Sequence, residues 1–164
     1  MASAGIPAVP MTSSSITYQW PLIGPVIRGF DPPSDPYGSG HRGIDIAAPF
    51  GSPVRAAGSG VVAFAGKIGA GLYVSIDHAD GVRTTYSWLS TVAVRRGQHV
   101  LIGSIIGLSG QGHPGAAQPH LHLGVRQNGE YIDPLSLLPQ PDLSDSLRLI
   151  PDNCACGSGR VPDG

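Results

Sequence analysis

A chain of 164 residues is long enough for one compact domain with a substantial core and short for two. With 41% apolar residues, 13% charged residues and a net charge of −1, it lacks the basic excess that a nucleic-acid surface sets against phosphates and the charge density of a disordered polyelectrolyte. No apolar run approaches the roughly 18 residues of a membrane span.

Residues 1–17 read as a flexible leader of mostly small residues. They show neither a basic start nor a long apolar stretch, so no complete export signal is present, although Ala2-Ser3-Ala4 resembles the end of one. Tyr18 to Ile27 is apolar but broken by Pro21 and Pro25, which predicts an extended edge segment. Residues 28–40 form a loop. Beyond Gly43, short strand-like runs alternate with Gly-bearing turns: Gly60 to Gly66, Leu72 to Asp77, Val82 to Leu89, Val100 to Ile106, Leu121 to Val125, and Tyr131-Ile132. Leu72, Val74 and Ile76 share one strand face. Asp80-Gly81 and Asn128-Gly129 are hairpin signals. This spacing predicts an all-β, single-domain, antiparallel sheet or sandwich-like fold with minimal helix. Only Leu135 to Leu138 and Leu143 to Ile150 suit short helices. Pro139-Gln140-Pro141 ends the domain, which spans 18–138; residues 139–164 read as a largely disordered tail. Cys154 and Cys156 lie there, too close in sequence to bridge without strain and with no partners for a disulfide framework.

Two short motifs carry chemistry. His41 and Asp45 lie in His41-Arg42-Gly43-Ile44-Asp45, and two further imidazoles lie in Pro119-His120-Leu121-His122-Leu123. In a strand, residues two apart share a face about 6.5–7 Å apart. His120 and His122 therefore face one way while Leu121, Leu123 and Val125 face the other. That separation is too wide for both to sit about 2.0–2.1 Å from one tetrahedral ion, so the pair suits one ligand and one proton-handling group. His41 and Asp45 supply an imidazole and a carboxylate, with Gly43 between them to let the backbone bend. Two His and one carboxylate, with a fourth position for water, is the pattern of a catalytic rather than a structural zinc site. Either motif alone also suits an ordinary alternating strand or a surface turn.

Taken in order, His41 to Pro49, Gly51 to Val62, Tyr73 to His78, Thr85-Tyr86, Val94 to Gln98, Ile106-Gly107 and Pro119 to His122 resemble the lysostaphin-type zinc metalloendopeptidases, which cut peptidoglycan cross-links. The resemblance covers roughly residues 20–138. It implies a groove floored by an antiparallel sheet, one Zn²⁺ held by His41, Asp45 and His122, and a catalytic His120. It further implies the peptide part of bacterial peptidoglycan as substrate, and a secreted or cell-envelope location. One position departs from the pattern. The family usually carries Tyr-x-His-Leu, whereas this chain reads Tyr86-Ser87-Trp88-Leu89. Trp88 stands where a second catalytic His is expected, and indole donates a hydrogen bond but cannot accept or carry a proton. Two functions remain open: a zinc endopeptidase, or a degenerate module that keeps the zinc site and binds wall peptide or activates another hydrolase. His113, in the glycine-rich loop before the His-x-His strand, is a candidate substitute, and Trp88 a candidate aromatic wall of the groove. His78 reads as a turn residue and His99 as solvated. No H-E-x-x-H motif occurs, which excludes the Glu base of that mechanism.

Overall fold

The computed structural model of the chain describes residues 16–35 and 38–140. The expected leader, apart from Ile16 and Thr17, lies outside these residues, as do the expected tail beyond Gln140, both cysteines and the second helical candidate. Ile16 packs against the core. The described residues form ten strands in one connected sheet: β1 (Val26–Arg28), β2 (Ile44–Ala47), β3 (Pro53–Arg55), β4 (Gly60–Ile68), β5 (Gly71–Asp77), β6 (Val82–Val92), β7 (His99–Val100), β8 (Ile105–Ser109), β9 (His120–Gln127) and β10 (Glu130–Ile132). Neighbours run β1-β2-β9-β6-β5-β4-β7, β10 pairs with β9, and β8 joins β3 to β6. Every pairing is antiparallel.

The all-β expectation holds, and alternation explains why. Ile44 and Ile46 of β2, Val74 and Ile76 of β5, Val82 and Tyr86 of β6, and Leu121, Leu123 and Val125 of β9 are all buried on one face. They pack with Val54, Val62 and Ile106. At roughly 1.5–3 kcal/mol per fully buried aliphatic side chain, this face fixes the register of the whole sheet, because a one-residue slip would turn every one of these side chains to solvent. The opposite face carries the polar residues of the same strands. Among the described residues no helix is long and apolar enough to cross a membrane.

Two local expectations are corrected. Val100 to Ile106 is two strands, because a turn with Gly103 at φ +84° separates β7 from β8. The helix placed at Leu135 to Leu138 is a 3-10 turn over Pro134–Ser136, capped by the Asp133 carboxylate accepting from the Leu135 N–H. Only Val26–Arg28 of the proline-broken segment pairs as a strand, at the sheet edge as expected. His78 does lie in a turn, yet it is buried. Its ring nitrogens meet the Ser59 carbonyl and the Thr84 hydroxyl, both at 2.9 Å. Thr84 in turn donates to the hydroxyl of fully buried Tyr86, which also accepts the Ala57 N–H at 2.7 Å. Burial pushes the Tyr86 hydroxyl up to about 12.

β6 changes partner midway. Val82 to Ser87 pair with β9, whereas Leu89 to Val92 pair with β8. At the change the register against β5 jumps, with Tyr73 opposite Ser87 but Leu72 opposite Leu89. Trp88 is the extra residue of this bulge and sits at φ +64°.

Candidate active site

β2 and β9 are neighbours in the sheet, and Asp45 is the direct partner of His122. Direct partners on one face hold their Cβ atoms about 4.5–5.5 Å apart, so the carboxylate and the imidazole meet on the polar face. His41 reaches the same place from the preceding loop, where it forms an isolated antiparallel bridge with Asp31. His41 Nε2 lies 3.0 Å from Asp45 Oδ1 and 3.0 Å from His122 Nδ1, and the third edge, from His122 Nδ1 to Asp45 Oδ1, is 2.8 Å. His41 and Asp45 are buried and His122 is partly exposed.

The chemistry of this triangle points to a cation. His41 Nδ1 donates to the Gly29 carbonyl at 2.6 Å, which leaves Nε2 of the neutral ring as a lone pair. His41 Nε2 and Asp45 Oδ1 then face each other and His122 Nδ1 in a buried pocket, an arrangement that needs either a proton on His122 Nδ1 or a metal ion among the three atoms. Tetrahedral zinc at about 2.0–2.1 Å from its ligands sets those ligands roughly 3.3 Å apart, within a few tenths of an ångström of the observed edges. The residues therefore fit Zn²⁺. Burial would raise the Asp45 carboxyl, but the hydrogen bond from His122 and the nearby imidazoles of His122, His41 and His120 outweigh it and hold the group below the usual carboxylate range. Gly43 serves a different purpose from the one expected. Its φ is not in the left-handed region; instead a Cβ there would lie 2.3 Å from the Leu123 carbonyl oxygen and 2.8 Å from His122 Nε2. Glycine is needed for close approach of the loop to β9, not for a bend.

His120 is buried on the same face of β9 as His122. Its Nδ1 meets the Gln118 carbonyl at 3.0 Å, and its Nε2 lies 3.9 Å from Asp45 Oδ2. Among the described residues His120 Nε2 is the buried side-chain polar atom without a hydrogen-bond partner. Such an orphan costs about 1–3 kcal/mol. With Nδ1 committed to Gln118, Nε2 is a proton acceptor beside the triangle. His113 packs on this ring, with centroids 5.0 Å apart. Trp88 does not join the cluster. Its indole lies over Gly71, where a Cβ would come within 2.9 Å of the ring, and beside Tyr73 at 5.7 Å between centroids. It packs on Tyr73, which lines the groove, whereas Trp88 itself is not a lining residue.

Beyond the triangle the polar face forms a groove of about 270 Å³. Its floor is Arg83, Thr85 and Ser87 of β6 with His122, Gly124 and Arg126 of β9, flanked by Tyr73, Arg42 and Tyr131. Arg126 lies 4.2 Å from the Tyr131 ring centroid and also bonds its hydroxyl. Arg83 makes a two-pronged pair with Asp77, and its hydrogen bonds hold that carboxyl below the usual range. Sequence reading missed these arginines. Alternation within β6 and β9 places each on the polar face, but only the register, with Arg83 opposite Arg126, shows that they share one groove.

The sequence profile of Peptidase family M23 matches residues 39–134. The chain is 40% identical over 151 residues to an uncharacterized protein of Mycobacterium tuberculosis, covering 88% of this chain and 59% of that protein. It is 44% identical over 108 residues to the DD-carboxypeptidase/endopeptidase Mpg of Neisseria meningitidis, covering 65% of this chain and 25% of Mpg. The structure of the antimicrobial peptidase lysostaphin from Staphylococcus simulans superposes with a TM-score of 0.63 at 32% identity, over 74% of this chain and 52% of that one. The chain thus spans little more than half of the mycobacterial relative. The profile match runs from the residue before Gly40 to the start of the 3-10 turn and takes in the triangle, His120 and the groove floor: the chain belongs to Peptidase family M23.

Proposed function

We propose that this protein is a zinc-dependent endopeptidase that hydrolyses peptide bonds of bacterial peptidoglycan in the cell envelope or outside the cell, and that residues 18–138 are its peptidase unit. One observation carries the reading: the triangle of His41 Nε2, Asp45 Oδ1 and His122 Nδ1 lies beside the unpartnered Nε2 of His120. Held by those three residues, Zn²⁺ would supply Lewis acidity, acidifying water and polarising a peptide carbonyl. His120 Nε2 takes the proton of the attacking water, and the Gln118 carbonyl fixes the ring in the tautomer that can accept it. The water oxygen bonds to the carbonyl carbon, the C–N bond breaks, and His120 returns the proton to the leaving nitrogen. The groove offers an extended peptide hydroxyls from Thr85 and Ser87 and positive charge from Arg42 and Arg126. That charge suits the carboxylates of wall peptides, in keeping with the DD-carboxypeptidase/endopeptidase name of the Neisseria relative.

A second reading, a module that binds wall peptide without cutting it, is favoured by Trp88 alone. Its indole turns toward Tyr73 and Gly71 and cannot shuttle a proton. Incubating the purified protein with isolated cell wall and counting new amino groups separates the two. The endopeptidase carries about one zinc per chain, lost in His122→Ala, and releases amines. A metal-free protein sinks the zinc reading. Amine release only after Trp88→His establishes the binding module.

A further inference from the structure

Asp45 faces two clusters. Beyond the triangle, a ligand atom each from Asp45, His113 and His120 lies within 4.8 Å of the others. His113 belongs to the loop between β8 and β9, and the loop is seated rather than free. A Cβ on Gly112, at φ +87°, would stand 2.2 Å from His120 Cε1, and one on Gly110 would stand 2.3 Å from the Trp88 carbonyl oxygen. Only glycine at both positions lets the loop lie directly on the His120 ring and on the bulge of β6. The result holds the His113 ring edge-on to that of His120, at 5.0 Å and 63°. The contact of His113 Nδ1 with the Pro114 carbonyl, 3.1 Å, is exposed and exchanges with water at little cost, so the ring can turn an N–H toward a substrate oxygen.

We infer that His113 is a second catalytic imidazole of this site, donating a hydrogen bond to the carbonyl oxygen of the scissile peptide bond as negative charge develops on it. The inference rests on the peptidase reading above. Hydrolysis needs one group to take the proton of water and another to steady the oxyanion. His120 has Nε2 alone for the first task, since its Nδ1 is held by Gln118. The Trp88 indole packs on Tyr73, and the His113 imidazole is the N–H donor packed against the base. The bonds made and broken are those of the hydrolysis itself; His113 gains and loses no proton over the cycle.

The test compares wild type, His113→Ala and His113→Gln as zinc-loaded proteins. Three quantities are read: zinc content, turnover on a wall peptide, and affinity for a phosphinate peptide whose tetrahedral, charged centre mimics the oxyanion. Loss of one such donor costs on the order of 10²–10³ in turnover. His113→Ala should therefore lose about that factor in kcat with KM within about threefold, and lose phosphinate affinity in parallel. It should keep one zinc and the wild-type melting temperature. His113→Gln, which retains an N–H donor, should recover part of both. Equal phosphinate affinity and equal turnover in His113→Ala overturn the proposal while leaving the peptidase reading intact. Two zinc ions in wild type falling to one in His113→Ala also overturn it, making His113 a metal ligand. A wild type that neither binds zinc nor cuts overturns the peptidase reading, and this inference with it.

Discussion

Gly43→Ala tests the site where packing and metal chemistry meet. The new Cβ would lie 2.3 Å from the Leu123 carbonyl oxygen and 2.8 Å from His122 Nε2, against an ordinary contact of 3.4 Å or more. The backbone contact is thus about 1.1 Å short, and neither partner is the loose end of a flexible side chain. The loop must withdraw from β9 by about that distance, carrying His41 on one side and straining Asp45 on the other. Edges of 2.8–3.0 Å then open beyond what one ion can span. Overpacking of this kind costs about 1–3 kcal/mol of stability, and disturbed ligand positioning weakens metal binding about 10–100-fold. In excess zinc, a hundredfold loss removes about 2.7 kcal/mol of metal-linked stability. For a domain of this size that is about 5–11 °C of the zinc-induced rise in melting temperature. Unfolding scans with chelator and with zinc, for both proteins, read it directly. Gly124→Ala serves as the milder comparison, because its Cβ would stand 3.3 Å from the Arg42 carbonyl oxygen, a contact relieved by a shift of about a tenth of an ångström rather than more than one. If zinc raises the melting temperature of Gly43→Ala as much as that of wild type, the triangle does not hold the ion.

Two further outcomes follow from the same geometry. Tyr86 keeps its proton in the folded state up to about 12, while the unfolded chain releases it near 10.0. Its contribution is therefore intact below pH 10.0 and lost as pH rises toward 12, amounting to about 3 kcal/mol at most. Urea unfolding of wild type should weaken across that window. Tyr86→Phe should show a shallower fall from a baseline lowered by about 1–3 kcal/mol, since the Ala57 N–H loses its acceptor; an unchanged slope in Tyr86→Phe assigns the alkaline loss elsewhere. Arg126→Ala should raise KM about tenfold, or about 1.4 kcal/mol, for a carboxylate-bearing wall peptide and leave the neutral amide analogue unaffected. Steady-state kinetics on the two peptides decide it, and equal effects on both would place the peptide outside this groove.

Much of this was legible in the chain because the informative signals are local. Period-two alternation put Leu121, Leu123 and Val125 in the core and His120 with His122 on the opposite face, as found. Turn chemistry at Asp80-Gly81 and Asn128-Gly129 marked hairpins that do form, between β5 and β6 and between β9 and β10. What escaped depends on partners distant in sequence. Nothing near Arg83 names Arg126 as its neighbour, and nothing near Gly43 shows the Leu123 carbonyl passing beneath it. The joined run Val100 to Ile106 failed for the opposite reason: Gly103 imposes a turn that the apolar residues around it conceal. The His113 contact was the hardest to foresee, since the loop is positioned by the absence of side chains at Gly110 and Gly112.

The bulge at Trp88 explains why two imidazoles two residues apart have different surroundings. A left-handed backbone at a residue with a Cβ costs about 1–2 kcal/mol, and here it accompanies the change of β6 from one partner to another. β9 is paired with β6 as far as His122, opposite Ser87. One step further along, β6 has turned to β8, and His120 has no strand on that side. His122 therefore keeps a fixed register and a partly exposed ring, which suits a ligand. His120 meets instead a loop whose glycines press onto its ring and bury it. A flat, continuous β6 would pair past His122 and close the space that the Gly110 to His113 loop occupies. The strain at residue 88 thus belongs to the architecture of the site even though its indole touches neither the triangle nor the base.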